Sequence, residues 1–161
     1  MRVLALTMLI LGAFPSAALT GEIAQRPGWV VFDTVHTLDG LTERLKEAIK
    51  AENMGLVTQA SASAGAASQG INIPGNRVLG VCRNDYARRM LAASLAAGIE
   101  APIRFYLTEN QDGTATLSYR TPSAVFMPYF DEGGQALKAL AGELDGVFAR
   151  IAERAVKPAD Q

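Results

Sequence analysis

Apolar and polar positions alternate along two neighbouring stretches in the second half of the chain, residues 103–109 and 114–120. The apolar positions are Ile103, Phe105 and Leu107 in the first stretch and Ala115, Leu117 and Tyr119 in the second. A period of two is typical of strands that bury one face. Because Asp112-Gly113 lies between the stretches and favours a tight turn, the pattern predicts a β-hairpin.

Two other stretches repeat their apolar positions at the spacing of a helix. The first predicts an amphipathic helix, capped by Thr37 or Asp39 and ended by a left-handed Gly55. Its apolar positions are Leu41, Leu45, Ala48 and Ile49. The second predicts a long helix over residues 134–155. Its apolar stripe is Leu137, Leu140, Leu144, Val147, Phe148 and Ile151.

Three further strands are predicted over residues 29–35, 56–60 and 77–82, which are rich in β-branched and other apolar residues. The strand over 77–82 is apolar on both faces, which favours an interior position in the sheet. A helix follows, capped by Asn84 and ended by Gly98. Residues 61–70 are almost entirely Ser, Ala and Gly and predict a surface loop, with or without one helical turn; a ligand-facing loop is the alternative.

These elements predict an α+β fold: a single domain with a four- to five-stranded sheet packed by helices and a long C-terminal helix. A basic start, an apolar run of about 12 residues and Pro15-Ser16-Ala17-Ala18 are typical of a signal peptide over residues 1–18. We expect residues 19–28 to be a flexible mature N-terminus, 29–155 the domain and 156–161 a disordered tail. The protein is therefore predicted to be periplasmic or secreted, with no stable membrane span after cleavage.

Charge and cysteine content narrow the function. Without Arg2 the predicted mature chain carries 14 basic and 16 acidic residues, a net charge of −2, which argues against nucleic acid as a partner. Cys82 is the only cysteine, so an intramolecular disulfide is excluded even in an oxidising compartment. The Cys82 thiol is either buried and inert or free to react.

Four features from Val31 to Tyr119 resemble the family called domain of unknown function 302. They are Leu41-Thr-Glu-Arg-Leu45 with Met54-Gly55, the strand Val78 to Cys82, the segment Ala101-Pro102-Ile103-Arg104, and the strand pair that ends at Thr121-Pro122. The resemblance implies a small α+β envelope protein and a homodimer. It implies no reaction, because the activity of the family is unsettled.

The sequence departs from the family at two places. Many members carry an Asp-His pair where this chain has Ser61-Ala62-Ser63. Many also carry Phe-Gly-Asn-Pro where this chain has Val81-Cys82-Arg83-Asn84. A role for that histidine cannot be transferred to this chain.

The candidate site is the junction between the third strand and the following helix, with Arg104 nearby. Its residues are Cys82, Arg83, Asn84, Asp85 and Tyr86. Arg83 and the helix start both favour a thiolate at Cys82. Arg104 and Tyr106 lie on the less apolar face of their strand, and Arg120 lies on the corresponding face of the next strand. Such a face is suited to an anionic ligand at Arg104; a half-solvated sheet surface is the alternative.

No catalytic motif, resident metal or cofactor is predicted. A serine triad would need His36, the only histidine, yet no serine lies in a Gly-x-Ser-x-Gly elbow. A soft copper site formed by Cys82, His36 and methionines such as Met54, Met90 or Met127 has no support from spacing.

The leading hypothesis is a binding or accessory domain, without catalytic machinery, for an unknown small ligand or an envelope protein partner. The alternative is an envelope thiol-redox or soft-metal-binding protein that uses Cys82. A third hypothesis is a purely structural dimer.

Overall fold

The structure is a computed structural model that describes residues 23–158. Its elements are β1 (Trp29–Asp33), α1 (Leu38–Ala51), β2 (Gly55–Ala60), α2 (Ala62–Ala67), β3 (Asn76–Cys82), α3 (Asn84–Ala93), β4 (Ile103–Glu109), β5 (Ala115–Arg120), α4 (Pro122–Phe126) and α5 (Phe130–Val156). Short 3₁₀ helices lie at Ala96–Glu100 and Met127–Tyr129. The predicted signal peptide, residues 19–22 of the predicted mature N-terminus and the last three residues of the predicted tail lie outside the described range.

The five strands form one sheet in the order β1-β5-β4-β3-β2, and every neighbouring pair is antiparallel. The predicted hairpin is confirmed: Phe105 pairs with Tyr119, and Gly113 adopts a φ of 82° in the turn. The Asp112 side chain accepts a hydrogen bond from the Thr114 backbone N–H at 2.9 Å. Strand β3 lies between β2 and β4, which confirms its predicted interior position. The predicted α+β fold class is confirmed.

One face of the sheet is covered by α1 and α5, and we call the opposite side the open face. The predicted helix-facing residues of β4 and β5 are all buried. Phe148 of α5 stacks on Phe105 at 4.7 Å between ring centroids, and Tyr119 meets Phe105 edge-on at 5.1 Å. Such aromatic pairs add to the stabilisation from apolar burial. The six predicted stripe residues of α5 are buried, which explains why this long helix lies across the sheet.

The predicted end residues of α1 are correct at its N-terminus but not at its C-terminus. The Thr37 hydroxyl accepts a hydrogen bond from the Gly40 N–H at 3.2 Å, so Thr37 is the cap, as predicted. The prediction of a left-handed Gly55 was wrong, because Asn53 takes the positive φ (55°). Asn tolerates this conformation better than most residues with a side chain. Gly55 instead begins β2 opposite Cys82.

Three further local predictions differ from the structure. The segment over 61–70 contains a short helix, α2, because the Ser61 hydroxyl accepts the Ala64 N–H at 3.0 Å and caps it. Helix α3 begins at Asn84, so Asn84 is not its cap; Arg83 occupies that position without a side-chain hydrogen bond. Helix α3 also ends at Ala93 rather than at Gly98, which lies in the following 3₁₀ helix.

Helix α5 bends near its start and is held at its end. Gly134 has non-helical angles (φ 56°, ψ −149°), so the regular helix follows it, close to the predicted start. The helix continues through Val156, one residue into the predicted tail. Arg44 donates to the Ala155 and Lys157 carbonyls at 2.8 and 2.6 Å, and the His36 ring nitrogen lies 2.9 Å from the Lys157 oxygen. Within residues 23–158 neither α5 nor another helix has the length and apolar character for crossing a bilayer.

Both edges of the sheet are interrupted. At the β1 edge the Gln25 side-chain amide donates to the Val31 carbonyl at 3.3 Å. At the β2 edge the register shifts between Leu56 and Thr58, which marks a bulge at the exposed Val57.

Gly80 of β3 is required by close contacts on the open face. A Cβ at this position would lie 2.1 Å from the Thr58 hydroxyl oxygen and 2.7 Å from Pro102 Cγ. We therefore expect Gly80→Ala to lower the free energy of unfolding by about 1–3 kcal/mol, as overpacking typically does. Urea denaturation measures the change.

The matched control is Gly142→Ala, since a Cβ at Gly142 in α5 would meet nothing within 4 Å. That substitution is expected to stabilise the protein by about 0.5–1 kcal/mol through helix propensity. Equal stability of the Gly80→Ala variant and the wild type would contradict the contact argument.

Candidate functional site

The predicted junction site is a surface cluster whose charges are already paired. Arg83 forms two bonds to Asp85, from Nε to Oδ1 at 2.6 Å and from Nη2 to Oδ2 at 3.0 Å. This guanidinium lowers the pKa of Asp85 from 3.8 to about 2. The bidentate pair fixes both side chains at the start of α3, while Asn84 is exposed beside it.

Tyr86 lies between two arginines of the same cluster. The Arg83 Cζ atom is 4.2 Å from the centre of the Tyr86 ring, and the Arg89 Cζ atom is 5.6 Å from it. Arg89 in turn binds both carboxylate oxygens of Glu143 at 2.7 and 2.8 Å. The Arg89 guanidinium lowers the pKa of Glu143. Each cation is therefore matched by a carboxylate and a ring, which leaves the cluster little unpaired charge for a ligand.

Cys82 lines a different and much smaller space, a cavity of about 30 Å³ beneath the junction. Met54 and Met90 line the same cavity, together with core residues of β3 and α5. The thiol lies 3.9 Å from the Arg83 carbonyl oxygen, within reach of a weak S–H hydrogen bond. Within residues 23–158, no three His, Cys, Asp or Glu side chains cluster as metal ligands.

Two other residues of the hypothetical copper site lie apart from Cys82. The ring of His36 bonds the end of α5 at the Lys157 carbonyl. Met127 is 64% exposed in the second 3₁₀ helix. Of the proposed sulfur ligands, only Met54 and Met90 share a cavity with Cys82.

Arg104 lies on the open face, where it lines a cavity of about 570 Å³ that excludes Cys82. The structure therefore does not bring Arg104 together with the junction cluster in one cavity. This open-face cavity has a volume in the range of small-molecule sites. Its lining comprises Trp29, Ala60, Ser61, Ala62, Asn76, Val78, Glu100, Ile103, Arg104, Tyr106, Tyr119, Arg120 and Val125.

The strand register explains which side chains meet in the open-face cavity. Val78 pairs with both Ala60 and Tyr106, so these three residues form an apolar row across β2, β3 and β4. Trp29 pairs with Arg120 in the next row on the same face, two residues along β5 from Ser118. Residues two apart in a strand share a face, so Arg104 lies on the same side as Tyr106. The cavity thus combines an apolar floor with arginines at one end.

Two phenols and a carboxylate add polar groups to this cavity or its border. Glu100 lines it and accepts a hydrogen bond from the Tyr129 hydroxyl at 2.9 Å, which raises the pKa of Tyr129. Burial, with a smaller contribution from the Asp145 charge, raises the pKa of Tyr119 to about 12. Both phenols are therefore expected to stay protonated at neutral pH.

The sequence pattern pointed to part of this cavity. It placed Arg104 on the less apolar face of its strand, alongside Tyr106, and Arg120 on the corresponding face of β5. Trp29 and Glu100 carried no signal, because the first depends on β1 pairing with β5 and the second on the 3₁₀ helix before β4. Long-range pairing of this kind is not encoded in a local period.

A profile of the family described as Domain of unknown function DUF302 matches residues 31–155. The chain belongs to the DUF302 family. The match confirms the resemblance drawn from the sequence and extends it beyond Tyr119 to include α4 and nearly all of α5. Membership in DUF302 carries a fold but no assigned reaction.

A crystal structure of an uncharacterized conserved DUF302 protein from Bacillus stearothermophilus has the same fold. The TM-score is 0.70 at 23% sequence identity, and the alignment covers 81% of this chain and 99% of that one. At this identity the likeness establishes the DUF302 fold alone. A comparison with curated proteins yields no significant match.

Proposed function

We propose that this DUF302 domain is a periplasmic or secreted binding domain whose small ligand occupies the open-face cavity. The observation that supports this function is the cavity itself, about 570 Å³ on the side of the sheet opposite α1 and α5. Pockets of this kind, with an apolar lining and a few converging polar groups, are the usual form of small-molecule sites. Export remains a prediction, since it depends on residues 1–18.

The side chains of the cavity suit binding better than catalysis. Tyr106, Val78 and Ala60 offer an apolar surface to the body of a ligand. The phenol of Tyr119 has a pKa of about 12, far above the range in which a general acid or base works at neutral pH. Recognition without chemistry is therefore the function that these groups support.

Val78→Phe tests whether the cavity is the binding site. Phe at position 78 is expected to fill the floor and to weaken binding of the neutral fluorescent probe N-phenylnaphthylamine at least tenfold. Titration of the probe into wild-type and variant protein measures the two dissociation constants.

The matched control is Val57→Phe, which adds the same ring to the exposed edge of the sheet and should leave the affinity unchanged. Absence of saturable probe binding to the wild type would contradict the proposed function. So would equal affinities of the Val78→Phe variant and the wild type.

A second candidate function uses Cys82 as a redox thiol or a soft-metal ligand. One observation favours it: Met54 and Met90 line the same small cavity as Cys82. Thiolate and thioether sulfurs are the ligands that Cu(I) prefers. The cavity of about 30 Å³ has room for a single small ligand such as a metal ion at most. This function therefore uses a different site from ligand binding in the open-face cavity.

Cys82→Ser distinguishes the two functions. If the open-face cavity is the functional site, the variant keeps the probe affinity of the wild type, since Cys82 does not line that cavity. Alkylation rates of native and urea-unfolded protein, with a Cu(I) competition titration, provide the second measurement. Fast native alkylation with tight Cu(I) binding that the variant loses would favour the thiol function instead.

We also propose that the protein acts as a homodimer, and that an envelope protein is the alternative partner. The support is a group of exposed aliphatic side chains on α3, on the following 3₁₀ helix and between them: Leu91 is 45% exposed, Leu95 78% and Ile99 80%. These elements are in contact, because a Cβ at Gly98 would lie 2.8 Å from Leu91 Cδ2. Burial of such a group on a second copy would be favourable.

Leu95→Asp is the test of this surface. A charge at the centre of the exposed group should shift sedimentation equilibrium from dimer to monomer. The control is Val35→Asp, since Val35 is similarly exposed at 75% and lies before α1. A monomeric wild type would contradict the dimer, and a dimeric Leu95→Asp variant would place its interface elsewhere.

A further inference from the structure

Two arginines lie side by side on the open face. Phe105 pairs with Tyr119 in the β4–β5 ladder, so the next position along this register places Arg104 opposite Arg120. Both side chains are exposed and both line the open-face cavity. Directly opposite positions on antiparallel strands hold their Cβ atoms about 5 Å apart.

Like charges at opposite positions of a ladder destabilise a sheet. Within residues 23–158, no carboxylate lies within 4.0 Å of either of these two guanidinium groups. Arg120 donates one hydrogen bond to the Ala124 carbonyl at 3.1 Å, which leaves its charge uncompensated. Five other arginines each pair with a carboxylate: Arg77, Arg83, Arg89, Arg150 and Arg154.

The surroundings increase the positive charge at this end of the cavity. Trp29 pairs with Arg120 in the β1–β5 ladder. The guanidinium of Arg26 lies over the Trp29 ring, with its Cζ atom 5.0 Å from the ring centre. Glu100 is the acidic residue that lines the cavity, and its carboxylate accepts a hydrogen bond from the Tyr129 hydroxyl. Two arginines and one carboxylate therefore line the cavity, and a third arginine lies over the ring of the lining residue Trp29.

We propose that the open-face cavity binds an amphiphilic organic oxyanion, with its acid group between Arg104 and Arg120. A guanidinium binds carboxylate or phosphate oxygens with two parallel hydrogen bonds. The apolar body of the ligand lies along the row formed by Ala60, Val78 and Tyr106. This inference rests on the proposed binding function and adds the chemical class of the ligand.

Competition among three probes whose alkyl chains differ by at most one carbon tests the class. Decanoate, decanamide and decyl phosphate are titrated against bound N-phenylnaphthylamine at pH 7.5. We expect the anions to displace it at concentrations at least tenfold below that of decanamide, as expected for hydrogen bonds to charged groups. The stronger of the two anions identifies the acid group as carboxylate or phosphate.

The variants Arg104→Gln and Arg120→Gln should each reduce the advantage of the anions, and the double variant should abolish it. For each variant, displacement by the anions is expressed relative to displacement by decanamide, so a change in probe affinity does not affect the comparison. The control is Arg88→Gln, which removes an exposed charge of α3 outside the cavity.

Equal potency of decanoate, decyl phosphate and decanamide would overturn the inference and leave the binding function intact. The same holds if the advantage of the anions survives in the double variant. If the neutral probe itself fails to bind the wild type, the proposed function fails first.

Discussion

The packing of α5 against one face of the sheet is the interaction on which the rest of the structure depends. Phe148 stacks on Phe105, and Tyr119 closes the aromatic group from the neighbouring strand. Because α1 and α5 cover this face alone, the opposite face can keep a cavity. The alternation of β4 and β5 therefore places core residues on one side, and Arg104, Tyr106 and Arg120 of the cavity on the other.

Local patterns predicted most of this architecture. The alternation over residues 103–120 and the 3.6-residue stripe of α5 each reflect one-sided burial, which the sequence records directly. The full extent of the short helix α2 and the left-handed Asn53 escaped prediction. Helix α2 depends on a single serine cap. The left-handed Asn53 depends on which of several small or polar residues takes a positive φ.

The candidate site was less predictable than the fold, because the charge of a residue and its position along the chain do not reveal which side chains it contacts. Arg83 and Asp85 are two residues apart and neutralise each other at the surface. Arg104 and Arg120 are 16 positions apart and become neighbours only through the register of β4 and β5. A prediction from adjacent residues therefore favoured the junction, whereas pairing across strands assembles the larger cavity.

The interruptions at the two sheet edges have a consequence for colloidal behaviour. A bare strand edge is a template on which further chains can add, and repeated addition leads to fibrils. Here the side-chain amide of Gln25 donates a hydrogen bond to a backbone carbonyl of β1. At the other edge, the bulge at Val57 interrupts the hydrogen-bonding register of β2. Growth by strand addition is thereby disfavoured at both ends of the sheet, which would help keep the native protein in solution at high local concentration.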